Sequence, residues 1–276
     1  MLGFERFLSA RPALAFAVCI IYYLLVVIPH NEVGIVVNDF FSEFSRAHYN
    51  LIVAGIFTAL IILTLVTGWN NVNKASPPAN VGSYIIVTLL LFFCCFYFLM
   101  VVYVESVHLV QYAILAMLLF PIIGRYRSTM VWGVVLGALD ELYQYLILEN
   151  VAFYYDFNDV VLDAIGVGAG LLFLYIGGAN SITRPSTNIF KRPEIYWPLG
   201  LTIILLIAWS MGHFSINYNY NDPAYFTLFK QPVPEGFWYS PPGPPARFHI
   251  LTPIPAMLIL ISLIAFYGRL DGHFKH

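Results

Sequence analysis

Glu105, His108 and Tyr112 stand at i, i+3 and i+7, a spacing that puts all three on one face of a helix, with Gln111 beside the stripe. Asp140, Glu141 and Gln144 follow one segment later, then Asp156, Asp159 and Asp163 in the next. An imidazole among carboxylates suits acid–base chemistry. Histidine titrates near neutrality, and a neighbouring acid such as Glu105 or Glu141 tunes it. His108 and Glu141 are the catalytic candidates. Glu105, His108, Tyr112, Asp140, Glu141, Gln144, Asp159 and Asp163 form the candidate ligand-binding set. Carboxylates with histidine also bind cations when hydrated, but no diagnostic metal spacing is present, so neither a metal site nor a cofactor is expected.

Each motif also has a purely structural use. Asp140 and Glu141 point about 100° apart on a helix, so one can face the bundle while the other finds a separate partner. Buried acids and Gln144 also serve as interhelical hydrogen-bond glue. Asp156-Phe-Asn-Asp159 suits a helix N-cap with an acid at its third position. Asp163 lies one turn deeper, on the face of Asp159, and cannot be a cap. Beyond it, Gly166 and Gly170 form a small-residue pair, with Gly168 between them. They are expected to pack against the helix carrying Gly133 and Gly137. They are not a phosphate loop, because no strand precedes them and no Lys-Ser/Thr follows.

The elements that position these groups are membrane helices. The chain is 60% hydrophobic, 17% aromatic and 10% charged, with mean hydropathy +0.77. A soluble domain carries roughly 25% charged residues. Apolar runs long enough to cross about 30 Å of hydrocarbon lie at 12–29, 49–68, 83–104, 107–123, 129–148, 160–179, 197–213 and 250–268. The predicted fold is all-α: one polytopic membrane domain over 1–276, a bundle of about eight transmembrane helices. With the N-terminus in the cytoplasm, ten of the 13 basic residues fall in inner segments and only Arg46, Lys230 and Arg247 in outer ones. Both termini are therefore expected in the cytoplasm of a multi-pass cell-membrane protein. The net charge of −2 gives no reason to expect nucleic acid as a partner.

Two outer segments are long. Residues 30–48 suit a short amphipathic helix lying on the membrane. Residues 214–249 are rich in Tyr, Asn and Pro. The proline run at 241–245 favours polyproline geometry, and Phe226, Phe229, Phe237, Trp238 and Tyr239 suit the lipid–water interface. This segment is too apolar for a free linker and is expected to pack as a lid or an interfacial anchor.

His108-x3-Tyr112, then Glu141-x2-Gln144, then Asp159-x6-Gly166-x3-Gly170 resembles the VanZ-like family of integral membrane proteins. The family takes its name from a protein implicated in teicoplanin resistance. The likeness covers roughly a quarter of the chain, inside a core at 83–180. It implies a cell-envelope membrane protein. Asp163 stands where the family usually has Asn, and 149–158 holds no Arg where the family usually places one, so a ligand that depends on that Arg is not implied.

Three functions are compatible with these residues. The first is binding or modifying a lipid or lipid-linked envelope molecule in a pocket open to the outer side. A phosphatase of the usual kind is disfavoured, because the outer side has few cations to clamp a phosphate. The second is a non-enzymatic accessory subunit of a larger membrane complex, with other membrane protein subunits as partners. The third is a proton- or cation-coupled transporter. It ranks last, because the acids crowd toward one side.

Overall fold

The computed structural model describes residues 2–29, 48, 51–56, 58–59, 62, 66, 78–100, 103–147, 154–179, 193–217, 224–231, 236–240 and 247–272. Its helices are α1 (Leu2–Ser9), α2 (Pro12–Tyr22), α3 (Pro78–Cys94), α4 (Val107–Ile123), α5 (Tyr126–Ile147), α6 (Phe157–Ile176), α7 (Pro193–Ser210) and α8 (Pro253–Tyr267). Among the described residues, three helical stretches are long and apolar enough to cross a membrane: Val81–Leu99, Phe157–Ile176 and Pro253–Gly272. Pro12–Val27, Val107–Ile123 and Leu199–Ser210 are apolar but shorter. The expected crossing at 49–68 and the amphipathic helix at 30–48 fall largely outside the described residues.

Local sequence sets the helix ends. Pro12 opens α2, where its missing N–H costs nothing. Two helices run on as wider π-helical turns: α2 through Tyr23–Val27, and α3 through Cys95–Leu99. Met100 then turns extended, so the third apolar run ends at Leu99 rather than at 104. A 3-10 turn, Tyr103–Ser106, leads into α4. Gly124 closes α4 with φ 71°, a left-handed conformation natural to glycine, and its N–H returns to the Phe120 carbonyl at 2.7 Å. α5 starts three residues before the expected 129. Its first N–H groups are capped from afar: Asp271 accepts from Tyr126 N at 2.9 Å and from Arg127 N at 3.0 Å. Asp271 lies in the 3-10 turn that follows α8, Gly268–Gly272. The Asp156 side chain accepts from Asn158 N at 2.9 Å and caps α6.

α6 is the centre of the bundle. Gly166 and Gly170 do not face α5, as expected, but the backbone of α4. A Cβ on Gly166 would come 2.6 Å from the Leu109 carbonyl oxygen, and one on Gly170 would overlap the Ala113 carbonyl. The glycines of α5 do face α6: Gly133 meets Val167 and Gly137 meets Asp163. Gly168 meets the Tyr267 ring of α8. The fifth and sixth helices are thus joined through the α5 glycines, and the α6 pair serves α4 instead.

The fold is mostly helical but not wholly so. Within 214–249, Phe214–Asn217 (β1) pairs in parallel with Phe226–Phe229 (β2), Phe214 opposite Phe226 and Asn217 opposite Phe229. Phe226 and Leu228 are half-buried and Thr227 and Phe229 buried, the two-residue alternation of a strand. The expected polyproline run at 241–245 lies outside the described residues.

Candidate functional site

His108 sits one residue into α4, on its buried face. Its Nδ1 lies 2.9 Å from Asp163 Oδ1, and its Nε2 lies 3.7 Å from Asp159 Oδ2. Two acids placed against it are therefore those of α6, where the sequence pointed to Glu105 or Glu141. The geometry follows from the helix pairing above. Gly166 brings α6 against Leu109, so the acids three and seven residues before Gly166 reach the residue next to Leu109. Asp163 is 0% exposed, whereas the Asp159 side chain keeps 19% of its surface. The two acids thus differ: one is sealed in the interface and one stands at its open end.

Tyr112, one turn below His108, donates its hydroxyl to Asp140 Oδ2 at 3.3 Å. Asp163 Oδ2 lies against Gly137, where a Cβ would come 2.7 Å from it. That glycine makes room for the carboxylate. On the same helix, Gln144 Nε2 donates to Glu141 Oε1 at 2.8 Å, and both residues are buried. Glu141 lies in the electrostatic field of Asp159, Asp156, Asp163 and Asp140, in that order. Glu105 is the outlier. It lies half-buried in the 3-10 turn before α4, on the rim, where Tyr154 feels its charge. Outside the span, burial first and the Asp159 carboxylate second push the Asp156 carboxyl above its ordinary range.

A histidine between two acids constrains where protons sit. Neutral imidazole has one N–H and can donate to one carboxylate; imidazolium donates to both. Asp163 holds the ring at Nδ1. Proton gain and loss at Nε2 is then tied to Asp159, the acid nearest the open end. The arrangement is an imidazole held by one buried carboxylate, with a second 3.7 Å from its other nitrogen, beyond hydrogen-bond reach, a geometry compatible with acid–base chemistry.

Several contributors carried no sequence signal. The Tyr23 hydroxyl donates to the Leu136 carbonyl at 2.8 Å, and the Tyr22 hydroxyl to the Gln111 carbonyl at 3.0 Å. Gln111 Nε2 returns a bond to the Val26 carbonyl at 3.1 Å. These bonds seat the first long helix against α4 and α5, and Tyr23 comes within the electrostatic field of Asp140 and Asp163. A tyrosine pair in an apolar run gives no hint of this.

The 214–249 segment covers the same end of the bundle. The Tyr145 hydroxyl donates to the Thr227 carbonyl, and Lys230 lies over the Tyr145 ring at 4.3 Å. Tyr155 N–H donates to the Leu228 carbonyl at 2.8 Å. Asn158, next to Asp159, ties three strands of chain together. Its Nδ2 donates to the Leu99 and His249 carbonyls at 3.1 and 2.7 Å, and its Oδ1 accepts from Leu251 N at 2.9 Å. Trp238 stacks on Phe98 at 5.7 Å, with the Arg247 guanidinium over the Trp238 ring at 4.7 Å. Asn158 was passed over in the sequence because it carries no charge and sits inside a capping motif.

In comparisons with protein families, curated proteins and solved structures, the chain matches none.

Proposed function

We propose that this is a VanZ-like, multi-pass protein of the cell envelope that binds or modifies a lipid or lipid-linked molecule from the outer side. In this reading the chain crosses the membrane about eight times with both termini in the cytoplasm. His108 and Asp159 exchange a proton with the bound molecule, and Asp163 orients the ring. Glu141, Asp140, Gln144 and Tyr112 bind polar groups. The observation that carries the proposal is His108 held between a sealed and a half-open carboxylate. Ionisable groups at membrane depth are costly and rarely incidental, which supports a functional use of this cluster.

Asp159→Asn and His108→Gln keep shape and hydrogen bonding while removing the acid–base pair. Both variants should reach the membrane folded, yet lose the lipid that co-purifies with the unaltered chain and any phenotype of its deletion. Unchanged lipid content and phenotype in both would overturn the reading. Orientation is tested separately: cysteines placed at 76 and 188 should be shielded from an impermeant thiol reagent in whole cells, and those at 40 and 152 labelled.

A second reading has its own support. Along α7, Leu199, Leu201, Ile204, Leu206 and Trp209 are each more than half exposed. A helix with this much apolar surface exposed among the described residues suits an accessory subunit of a larger complex, with the acids as internal glue. It requires a stoichiometric protein partner after gentle purification.

A further inference from the structure

We infer that Asp140 and Asp163 form a carboxyl–carboxylate pair sharing one proton, with Asp140 the neutral acid that donates to Asp163 Oδ2. The inference rests on the proposed function only for the use made of His108, and it gives the sealed Asp140 a task inside the protein.

The two side chains meet on one patch of α5. Side chains on a helix lean toward its N-terminus, so the Asp140 carboxyl reaches back over Gly137, one turn earlier. Asp163 Oδ2 stands on that same glycine, 2.7 Å from where its Cβ would be. From the other side, one stripe of α4 touches both acids. His108 Nδ1 meets Asp163 Oδ1, and the Tyr112 hydroxyl, one turn on, meets Asp140 Oδ2. Both acids are 0% exposed, so bulk water reaches neither.

Counting donors leaves one oxygen short. Asp163 Oδ2 has no hydrogen-bond donor among the described residues. Two other hydroxyls near the pair are spent on α5 carbonyls: Tyr23 on Leu136 at 2.8 Å and Tyr155 on Ala138 at 2.7 Å. An ionised carboxylate only accepts, so two of them side by side cannot supply the missing hydrogen; a protonated one can. Charge leads to the same answer. The pair lies in the field of Asp159 and Glu141, with His108 to set against them. The only Lys or Arg in α4, α5 or α6 is Arg127, roughly 20 Å back along α5 from Asp140. Lys230 is engaged by the Tyr145 ring and carbonyl. A second buried anion would lack a counter-charge, and such a group takes up a proton instead. A metal ion does not fit: among the described residues, no group of three or more acid, His or Cys side chains is placed to hold one.

The proton belongs to Asp140 because Asp163 has the imidazole at 2.9 Å, a partner suited to a carboxylate, whereas Asp140 has a phenol at 3.3 Å. Donors at both oxygens then fix Asp163, and with it the ring whose Nε2 is turned to Asp159. Asp140 is thus a positioning residue for His108, acting through Asp163.

The full chain, with heavy carbon at its aspartate side-chain carboxyls, is reconstituted in phosphatidylcholine vesicles and read by infrared spectroscopy at neutral pH. A protonated aspartate gives a carbonyl stretch above the amide I band, and the label shifts it down while leaving any glutamate stretch in place. Asp140→Asn should lose one labelled component. Its amide still donates to Asp163 and accepts from Tyr112, so the variant keeps the contacts of the pair. Ring-nitrogen NMR reads the positioning role. The His108 signals, assigned by their loss in His108→Gln, should stay in place in Asp140→Asn and move in Asp140→Leu, which has no donor. No labelled component in the unaltered chain, or undiminished components in Asp140→Asn, overturns the pair. His108 signals that respond alike to both variants overturn the positioning role. A lost component with unchanged lipid and phenotype in the Asp159 and His108 variants keeps the pair and refutes the lipid reading. The reverse pattern refutes the pair alone.

Discussion

α6 and the stretch Val81–Leu99 are 20 and 19 residues long and similarly apolar, yet 78% of an 18-residue apolar window of the first and only 22% of one in the second is buried in protein. Hydrophobicity does not decide which helix is central, because lipid accepts a leucine as readily as a neighbouring helix does. In α6 the deciding residues are small or polar. Gly166 and Gly170 let the α4 backbone approach, Gly168 admits the Tyr267 ring of α8, and Asp159 and Asp163 find His108 on α4. Val81–Leu99 has neither device on most of its surface: Ile86, Leu90 and Phe93 are each more than half exposed. α6 meets partners over most of its surface; Val81–Leu99 meets them along one edge, where Tyr84 and Thr88 bond Phe266 and Tyr267 of α8.

The sharpest way to break this contrast is to remove the imidazole. His108→Ala leaves Asp163 buried without its partner and should destabilise the detergent-solubilised protein by about 3–5 kcal/mol in thermal or denaturant unfolding. A double change of His108 and Asp163 to apolar residues of similar size should recover much of that loss. Gly170→Ala comes next: its Cβ meets the Ala113 carbonyl, which is backbone and cannot swing away. Overpacking of this kind costs about 1–3 kcal/mol, read as a lower unfolding midpoint. Asn158→Ala should cost about 1–2 kcal/mol through its lost bonds. Its signature is local, with faster amide exchange at His249 and Leu251 than in α6. The smallest effect has the opposite sign. Gly200 of α7 has nothing within 4 Å of where its Cβ would stand, so Gly200→Ala should be neutral or stabilise by about 0.5–1 kcal/mol. A large loss at Gly200 would mean that α7 is as closely partnered as α6.

The same contrast explains what could be read before the fold was known. α4 was legible to the residue, because an apolar run stands between Ser106 and a left-handed Gly124. The cap of α6 was legible because Asp156 bonds its own neighbour at Asn158. Local chemistry of this kind is written in consecutive residues. The start of α5 was read three residues late, because its capping group is Asp271, far along the chain. The glycine faces were assigned to the wrong neighbour for a similar reason. A small residue announces that something comes close but not what, and α5, the nearer helix in sequence, is not the one that the α6 pair meets. The acids and His108 stood out by type alone, but their pairing depended on that same neighbour. The strands β1 and β2 were hidden inside a segment whose prolines and aromatics read as an interfacial loop. Phe226-Thr-Leu-Phe229 carries the alternation, but four residues are too few to outweigh their surroundings.

The Asp271 cap has a meaning in time. The first turn of α5 leaves the ribosome well before the carboxylate that completes it, so for that interval its N–H groups must be served by water or by the insertion machinery. Only when α8 and the turn that follows it have formed does the start of α5 gain this cap. A chain halted before Asp271 would therefore expose an unfinished helix start, a mark that quality control can distinguish from the finished protein.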